Sequence, residues 1–223
     1  ASGIYKSKGE RGADEINVPV KVYGGYDVTF SQRDPWGKHQ TIFTGDNQYQ
    51  KLSDPRLYIR TDQQREANGQ KSSGSEIIVD GIIFDNGPRN RYHQNKGLAI
   101  RRKASPASGQ NPSPESGGIV IVASNYTNVT VRNCIVMNTA PTEGAISTRV
   151  FAGGKALIEN NLSINNTGNA IHLRTGYVGS DPAKIPVYTV RRNTCLFTWK
   201  HDAIASYGGI GCAMDQNLVA TLE

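Results

Sequence analysis

The sequence predicts an all-β chain folded as a parallel β-helix, a solenoid whose coils stack along one axis. Two observations favour this fold. Short β-branched segments recur along the chain, and Gly, Asn or Asp turns separate them without an intervening amphipathic helix. Hydrophobic residues make up 37% of the 223 residues, with 24 Gly and 10 Pro, a composition typical of a soluble, loop-rich protein. We expect one domain over residues 1–223.

The repeat is defined by three segments that align without gaps. They begin at Arg132 (RNCIVMN), Glu159 (ENNLSIN) and Arg192 (RNTCLFT). A weaker copy begins at Gln216 and an earlier one, VDGIIFDNG, at Val79. The three segments are therefore 27 and 33 residues apart. Periods of this length, with short strands, are typical of a β-solenoid. A second short strand follows three of the copies; these strands begin at Gly144, Asn169 and Asp202.

Two other architectures fit the pattern less well. A leucine-rich repeat requires Leu at several fixed positions of each unit, and Leu is sparse here. An immunoglobulin-like sandwich requires tight hairpins, but among the Asn-Gly and Asp-Gly pairs only Asp80-Gly81 and Asn86-Gly87 lie between two alternating strands. The solenoid is therefore preferred.

The second strand of each unit assigns its side chains to two faces by alternation. In AIHLRT, placing Ile171 and Leu173 in the core directs His172 and Arg174 to solvent. The same alternation directs outward Ser147 with Arg149, and Ala205 with Tyr207.

Stacking of the coils should align some of these outward residues in one column. Neighbouring strands lie about 4.8 Å apart, so Arg149, Arg174 and Tyr207 are expected to stand next to one another, with Arg101 extending the column. Like charges in such a column repel unless anions or carboxylates lie between them.

The asparagines of the repeat have a structural interpretation. Asn tolerates left-handed backbone geometry and can bond to the same residue one coil away. We therefore expect Asn133, Asn160 and Asn193 to form a ladder at one corner rather than a catalytic site.

Several motifs resemble one known group of proteins. VDGIIFDNG, ENNLSINNTGNAIHLRTG and VPVKVYGGYDVTFSQRDP followed by TIFTGDN are similar to segments of the right-handed parallel β-helix superfamily of secreted bacterial proteins. That superfamily includes polysaccharide lyases, glycoside hydrolases, epimerases and surface proteins without catalysis. The resemblance implies a right-handed helix, a secreted or cell-surface location and a chain that is a fragment of a longer protein.

An insertion at residues 89–118 interrupts the resemblance. It is first basic and then rich in Pro, Ser and Gly, so it is expected to be a surface loop or a flap. The chain has 25 basic and 19 acidic residues, a net charge of +6. The insertion's cations raise the local concentration of anions, although a solvated loop that only aids solubility is the alternative. The substrate-binding candidates are Arg89, Arg91, Lys96, Arg101, Arg102 and Lys103.

The resemblance makes β-elimination the first reaction to consider. A lyase acting on a uronic acid must neutralise a carboxylate and remove the adjacent proton. Arg149 and Arg174 are the candidates for neutralisation, and His172, Lys200 and Tyr207 are the candidates for proton transfer. The alternatives are an exposed ring for His172 and an ordinary turn for Lys200.

Hydrolysis and metal binding are less favoured. A hydrolase of the polygalacturonase type needs clustered carboxylates, but Asp80, Asp85, Glu159 and Asp181 are expected on different corners. Calcium is common in the lyases of this superfamily, but no dense acidic loop supports it here, so no cofactor is assigned and the use of a metal stays open. The three cysteines form no Cys-x-x-Cys pair. Cys134, Cys195 and Cys212 are each small enough for a core position, and their redox state stays open because an odd number leaves at least one thiol free or paired with another chain.

These observations leave two functions. The first is a secreted protein that binds an acidic polysaccharide or another polyanion, and that cleaves it by β-elimination if it is an enzyme. The second is a non-catalytic structural or adhesive component of an extracellular assembly, with other chains as partners. Nucleic-acid binding is not favoured because only Tyr92 interleaves the basic segment. No apolar run approaches the length of a membrane span.

Overall fold

A computed structural model describes most of the chain. The described residues are 1–6, 14–44, 55–62, 74–86, 118–139, 144–177, 179–199 and 202–220. They form nineteen β-strands and one 3-10 turn at Pro182–Lys184.

The strands form three sheets, in which every pair of neighbours is parallel. Sheet A contains β1 (Gly3–Lys6), β4 (Thr41–Thr44), β7 (Ile83–Asp85), β10 (Ile135–Met137), β13 (Leu162–Thr167), β16 (Thr194–Trp199) and β19 (Leu218–Ala220). Sheet B contains β2 (Asp14–Ile16), β5 (Leu57–Arg60), β8 (Ile119–Val122), β11 (Gly144–Val150), β14 (Asn169–Thr175) and β17 (Ile204–Tyr207). Sheet C contains β3 (Lys21–Tyr23), β6 (Glu76–Asp80), β9 (Asn128–Arg132), β12 (Lys155–Glu159), β15 (Val187–Arg191) and β18 (Gly211–Asp215).

The chain visits the three sheets in rotation. Successive strands lie in sheets A, B and C, and each strand pairs with the strand three positions before it. This order confirms the all-β prediction and is consistent with a β-solenoid.

The core is lined by aliphatic residues from all three sheets. In sheet B, Ile119, Ile146 and Ile171 stand in register, and all three are fully buried. The predicted inward positions of Ile171 and Leu173 are confirmed, because both belong to the hydrophobic core. A column of identical aliphatic side chains removes apolar surface from water at each coil.

The strand register of the repeats differs from the gapless alignment of their sequences. Arg132 pairs with Glu159 as expected, but Glu159 pairs with Arg191 rather than with Arg192. The third copy is therefore displaced by one residue. The alignment matched Asn160 with Asn193 by residue type, whereas strand pairing places Asn160 beside Arg192.

This displacement separates the asparagines into two ladders. The inner ladder is buried: the backbone N–H of Asn161 donates to Asn193 Oδ1 at 3.1 Å, and that of Asn193 donates to Asn217 Oδ1 at 3.0 Å. The outer ladder joins Asn160 Nδ2 to Asn133 Oδ1 at 2.7 Å. Asn133 and Asn160 have positive φ, of 53° and 52°, as predicted. Asn193 belongs to the inner ladder, so its expected place beside them is wrong.

Asp80 is the centre of a buried polar cluster. Its side chain is 1% exposed and accepts hydrogen bonds from Arg33, from Arg132 Nε at 2.7 Å and from Asn133 Nδ2 at 2.8 Å. Burial alone raises the pKa of Asp80, but these three hydrogen bonds and the charge of Arg33 outweigh it, so the pKa lies below its ordinary value of 3.8. Gly81 has a φ of +72°, and a Cβ there would meet the Arg33 guanidinium.

A column of alternating charge runs along sheet C from this cluster. Its members in order are Asp80, Arg132, Glu159, Arg191 and Asp215, each paired in register with the next. Arg191 Nε lies 2.9 Å from Glu159 Oε1. The prediction that Asp80 and Glu159 occupy different corners is wrong, since both belong to this column. Because arginines flank both acids, they do not form a pair of catalytic carboxylates.

The three cysteines differ in burial, and we expect them to differ in reactivity. Cys134 and Cys195 are buried, and burial raises each pKa to about 12. Cys212 is exposed, so two of the three cysteines occupy the core positions that the sequence allows. Only a thiolate attacks a disulfide reagent, so one thiol per chain should react in the native protein and all three after denaturation. Cys212→Ser should abolish the native reaction; three accessible thiols in the native protein would contradict this packing.

Candidate functional site

The predicted column of outward arginines is present on sheet B. Arg149 on β11 pairs in register with Arg174 on β14, which pairs with Tyr207 on β17. On the other side, Val122 is the strand neighbour of Arg149. We call the outward side of these three strands, with Arg149, Arg174 and Tyr207, the arginine face.

The arginine face differs electrostatically from the alternating column of sheet C. Two cations occupy adjacent strands, about 4.8 Å apart, and no acidic residue occupies a position of the column from Val122 to Tyr207. Adjacent like charges raise the local positive potential and attract anions. In the described part of the chain, no carboxylate forms an ion pair with Arg149.

His172 is not the solvent-exposed ring that the sequence predicts. It is only 6% exposed, and its neighbour in register, Ser147, is 2% exposed. His172 Nδ1 lies 3.4 Å from Ser147 Oγ, and the Tyr207 ring packs edge-on against the imidazole at a centroid distance of 4.8 Å. Alternation correctly placed His172 and Ser147 on the outward side of sheet B, but it did not predict that both residues are buried there. A base buried in this way has little access to a polymer outside.

Tyr207 is the most accessible of the described catalytic candidates. Its side chain is 50% exposed, whereas Arg149 and Arg174 are half-buried. Its ring contacts the His172 imidazole, and Tyr207 is the neighbour of Arg174 in strand register. A half-exposed aromatic ring next to cations is a surface that can pack against an apolar ligand face.

A buried tyrosine that sequence reasoning missed supports the arginine face from inside. The hydroxyl of Tyr188 accepts from the backbone N–H of Val150 at 3.1 Å and lies 2.7 Å from the carbonyl oxygen of Arg174. Burial raises the pKa of Tyr188, so the hydroxyl stays neutral. The sequence does contain a sign of this arrangement. The neighbours of Tyr188 in register, Ala156 and Cys212, are small, and this leaves room for the large ring to cross the core.

Two aromatic rings flank the arginine face at the turn that follows sheet B. Phe151 packs over Gly176, where an added Cβ would stand 2.4 Å from the ring, and Tyr126 covers Gly153 in the same way. Sequence reasoning missed these rings too. The signal was a glycine one coil after each aromatic residue.

The other predicted residues lie outside the described part of the chain. These are the catalytic candidate Lys200 and the binding candidates Arg89, Arg91, Lys96, Arg101, Arg102 and Lys103. The same holds for Tyr92 in the basic segment. The arginine face therefore brings together four of the five catalytic candidates: Arg149, Arg174, His172 and Tyr207.

The described residues contain neither a candidate metal site nor a helix that could span a membrane. Among those that the structure describes, no three His, Cys, Asp or Glu side chains group closely enough to hold a metal ion. No helix in the described ranges is long and apolar enough to cross a membrane.

Comparison of the chain with protein-family models, with curated proteins and with solved structures found no match. The geometry of the arginine face is therefore the basis for assigning a function.

Proposed function

We propose that the chain is a right-handed parallel β-helix that binds an acidic polysaccharide on its arginine face, in a secreted or cell-surface protein. Right-handedness follows from the near-universal hand of crossovers between parallel strands. The rotation of the chain through three parallel sheets supports a helical coil.

One observation carries the binding proposal: Arg149 and Arg174 stand in register on adjacent strands, and Tyr207 continues the column. A guanidinium group offers a planar fork of donors that matches a carboxylate. Two guanidinium groups on adjacent strands form a repeated cationic surface. Such a surface suits a polymer that carries a carboxylate on successive sugars.

The aromatic rings favour a carbohydrate among the possible polyanions. Tyr207 is half exposed, and Tyr126 is 38% exposed at the neighbouring turn. The C–H face of a pyranose ring is apolar and can pack on such surfaces. The basic segment of residues 89–103 would add cations, although its position is not described.

Cleavage by β-elimination is the second candidate function, and one observation favours it. Tyr207 lies next to Arg174 in register, so a phenol stands beside the group that would neutralise the substrate carboxylate. In this reaction a base takes the proton next to the carboxylate, a carbon–carbon double bond forms, and the glycosidic oxygen leaves with a proton. The burial of His172 favours binding without turnover.

The test measures the affinity for polygalacturonate at low ionic strength, with a chelator present to remove calcium. We expect Arg149→Glu/Arg174→Glu to weaken binding at least about tenfold, because two attractive charges become repulsive. The control is Lys6→Glu/Lys155→Glu, which changes the net charge equally at two exposed residues on other sheets. It should weaken binding less than about threefold.

Equal losses in the two variants would contradict a specific site, because net charge alone would then explain binding. Ultraviolet absorbance decides the second candidate, and it is followed in parallel samples that contain calcium in place of the chelator. A rising signal from the conjugated double bond would establish a lyase, whereas bound polymer with a flat trace would identify a binding module.

A further inference from the structure

A row of outward side chains follows the corner between sheets C and A. Asn133, Asn160, Arg192 and Gln216 each come directly after a strand of sheet C. All four have φ between 52° and 56°, in the left-handed region, and Asn160, Arg192 and Gln216 are exposed. Three coil steps of about 4.8 Å make this corner row about 14 Å long.

The corner row keeps hydrogen-bonding groups for a ligand. The Asn133 amide is already engaged, since it donates to Asp80 and accepts from Asn160. Arg192 Nε donates to Gln216 Oε1 at 3.1 Å, and Arg192 Nη1 donates to Glu159. Within the described residues, Asn160 Oδ1, Arg192 Nη2 and Gln216 Nε2 make no hydrogen bond, and their residues are exposed.

Trp36 adds a fixed aromatic surface at the start of the corner row. Its side chain is 42% exposed, and its Nε1 donates to the carbonyl oxygen of Asn133 at 2.6 Å. Asp34 holds the same turn by accepting from the backbone N–H groups of Gly37 and Lys38. A large apolar ring is thus kept at the surface in one place, so binding against it costs little side-chain entropy.

The chemistry of this strip suits sugar rings more than isolated charges. The nearby cations Arg132 and Arg192 each have a carboxylate partner, Asp80 and Glu159 respectively, so neither is an isolated charge. The indole face offers packing for the C–H side of a pyranose, and the amide and guanidinium groups offer bonds to its hydroxyls.

The strip and the arginine face lie on different sides of the core. The chain passes from sheet A to B to C and back to A around one hydrophobic cluster, so the corner between C and A faces away from sheet B. We propose that Trp36 and the corner row form a second carbohydrate-binding strip, and that the protein bridges two chains of the acidic polysaccharide. This inference rests on the proposed function of the arginine face.

A two-step capture experiment tests the bridging. Polygalacturonate is immobilised, loaded with protein and washed, and soluble fluorescein-labelled polygalacturonate is then added, with chelator throughout. Loading reports the arginine face, and capture of the label reports bridging. Wild-type protein should load and capture label. Failure to load would overturn the proposed function, whereas loading without capture would overturn the bridging alone.

Variants of Trp36 test whether the labelled polygalacturonate is captured by the strip. Trp36→Ala should load within about twofold of wild type but capture about tenfold less label. Trp36→Phe keeps an aromatic face and loses the N–H, so it should retain most of the capture. Phe30→Ala removes a ring that is 64% exposed in the same loop and should change neither step. Undiminished capture by Trp36→Ala, or an equal loss in Trp36→Phe, would overturn the role of indole packing.

Discussion

Replacing Asp80 with Ala should lower the free energy of unfolding by about 3–5 kcal/mol, the range for removing one partner of a buried charge pair. The carboxylate is 1% exposed and is shared by Arg33, Arg132 and Asn133. Without it, two guanidinium groups lose their anion and stand close to each other. Urea unfolding followed by circular dichroism measures the loss.

Asp215→Ala is the matched control for Asp80, since it removes an exposed acid from the same column. It should cost less than about 1 kcal/mol, as expected for a surface charge. Similar losses in the two variants would contradict the central position of Asp80.

Low pH should abolish the contribution of Asp80 to the free energy of unfolding. Its pKa is below 3.8 in the folded protein, so its contribution to stability is complete above the pKa of the unfolded chain. That contribution disappears as pH falls through the folded pKa. The stability difference between wild type and Asp80→Asn should therefore be largest near neutral pH and shrink below pH 3.8; a difference that grows in acid would contradict the assignment.

Asn193→Ala should destabilise the protein by about 3 kcal/mol, because it breaks the inner ladder at its centre. Its Oδ1 accepts from the backbone and the amide of Asn161, and its Nδ2 donates to the carbonyl oxygens of Ile158 and Arg191. Asn193 is 1% exposed, so water cannot replace these bonds without opening the core. Thermal and urea unfolding measure the effect.

Asn160→Gly is the matched control, because Asn160 belongs to the outer ladder, is exposed and has a φ of 52° that glycine adopts freely. It should cost less than about 1 kcal/mol. A larger cost for Asn160→Gly than for Asn193→Ala would show that the outer ladder supports the corner.

The sequence was sufficient to predict two strands in each of the clearest repeats and much of their register. Alternation identified Ile171 and Leu173 as core residues and aligned Arg149, Arg174 and Tyr207 in one column. These predictions succeeded because side-chain alternation and coil stacking are local consequences of strand geometry.

Other features depend on contacts between distant parts of the chain and were missed. Arg33 reaches Asp80 across 47 positions of sequence, and the Tyr188 hydroxyl reaches the backbone of Val150 across 38. Burial of His172 depends on a ring from the next coil, Tyr207. The one-residue displacement of Asn193 came from matching identical residues, whereas strand pairing follows the inward pattern of the whole segment.

The most direct measurement for the account is a crystal structure of the protein with a short oligogalacturonate, in a lattice that leaves the arginine face uncovered. We predict sugar carboxylates within hydrogen-bonding distance of the guanidinium groups of Arg149 and Arg174, with a sugar ring near Tyr207. An oligosaccharide bound elsewhere, with no ligand on the arginine face at saturating concentration, would contradict the proposed function.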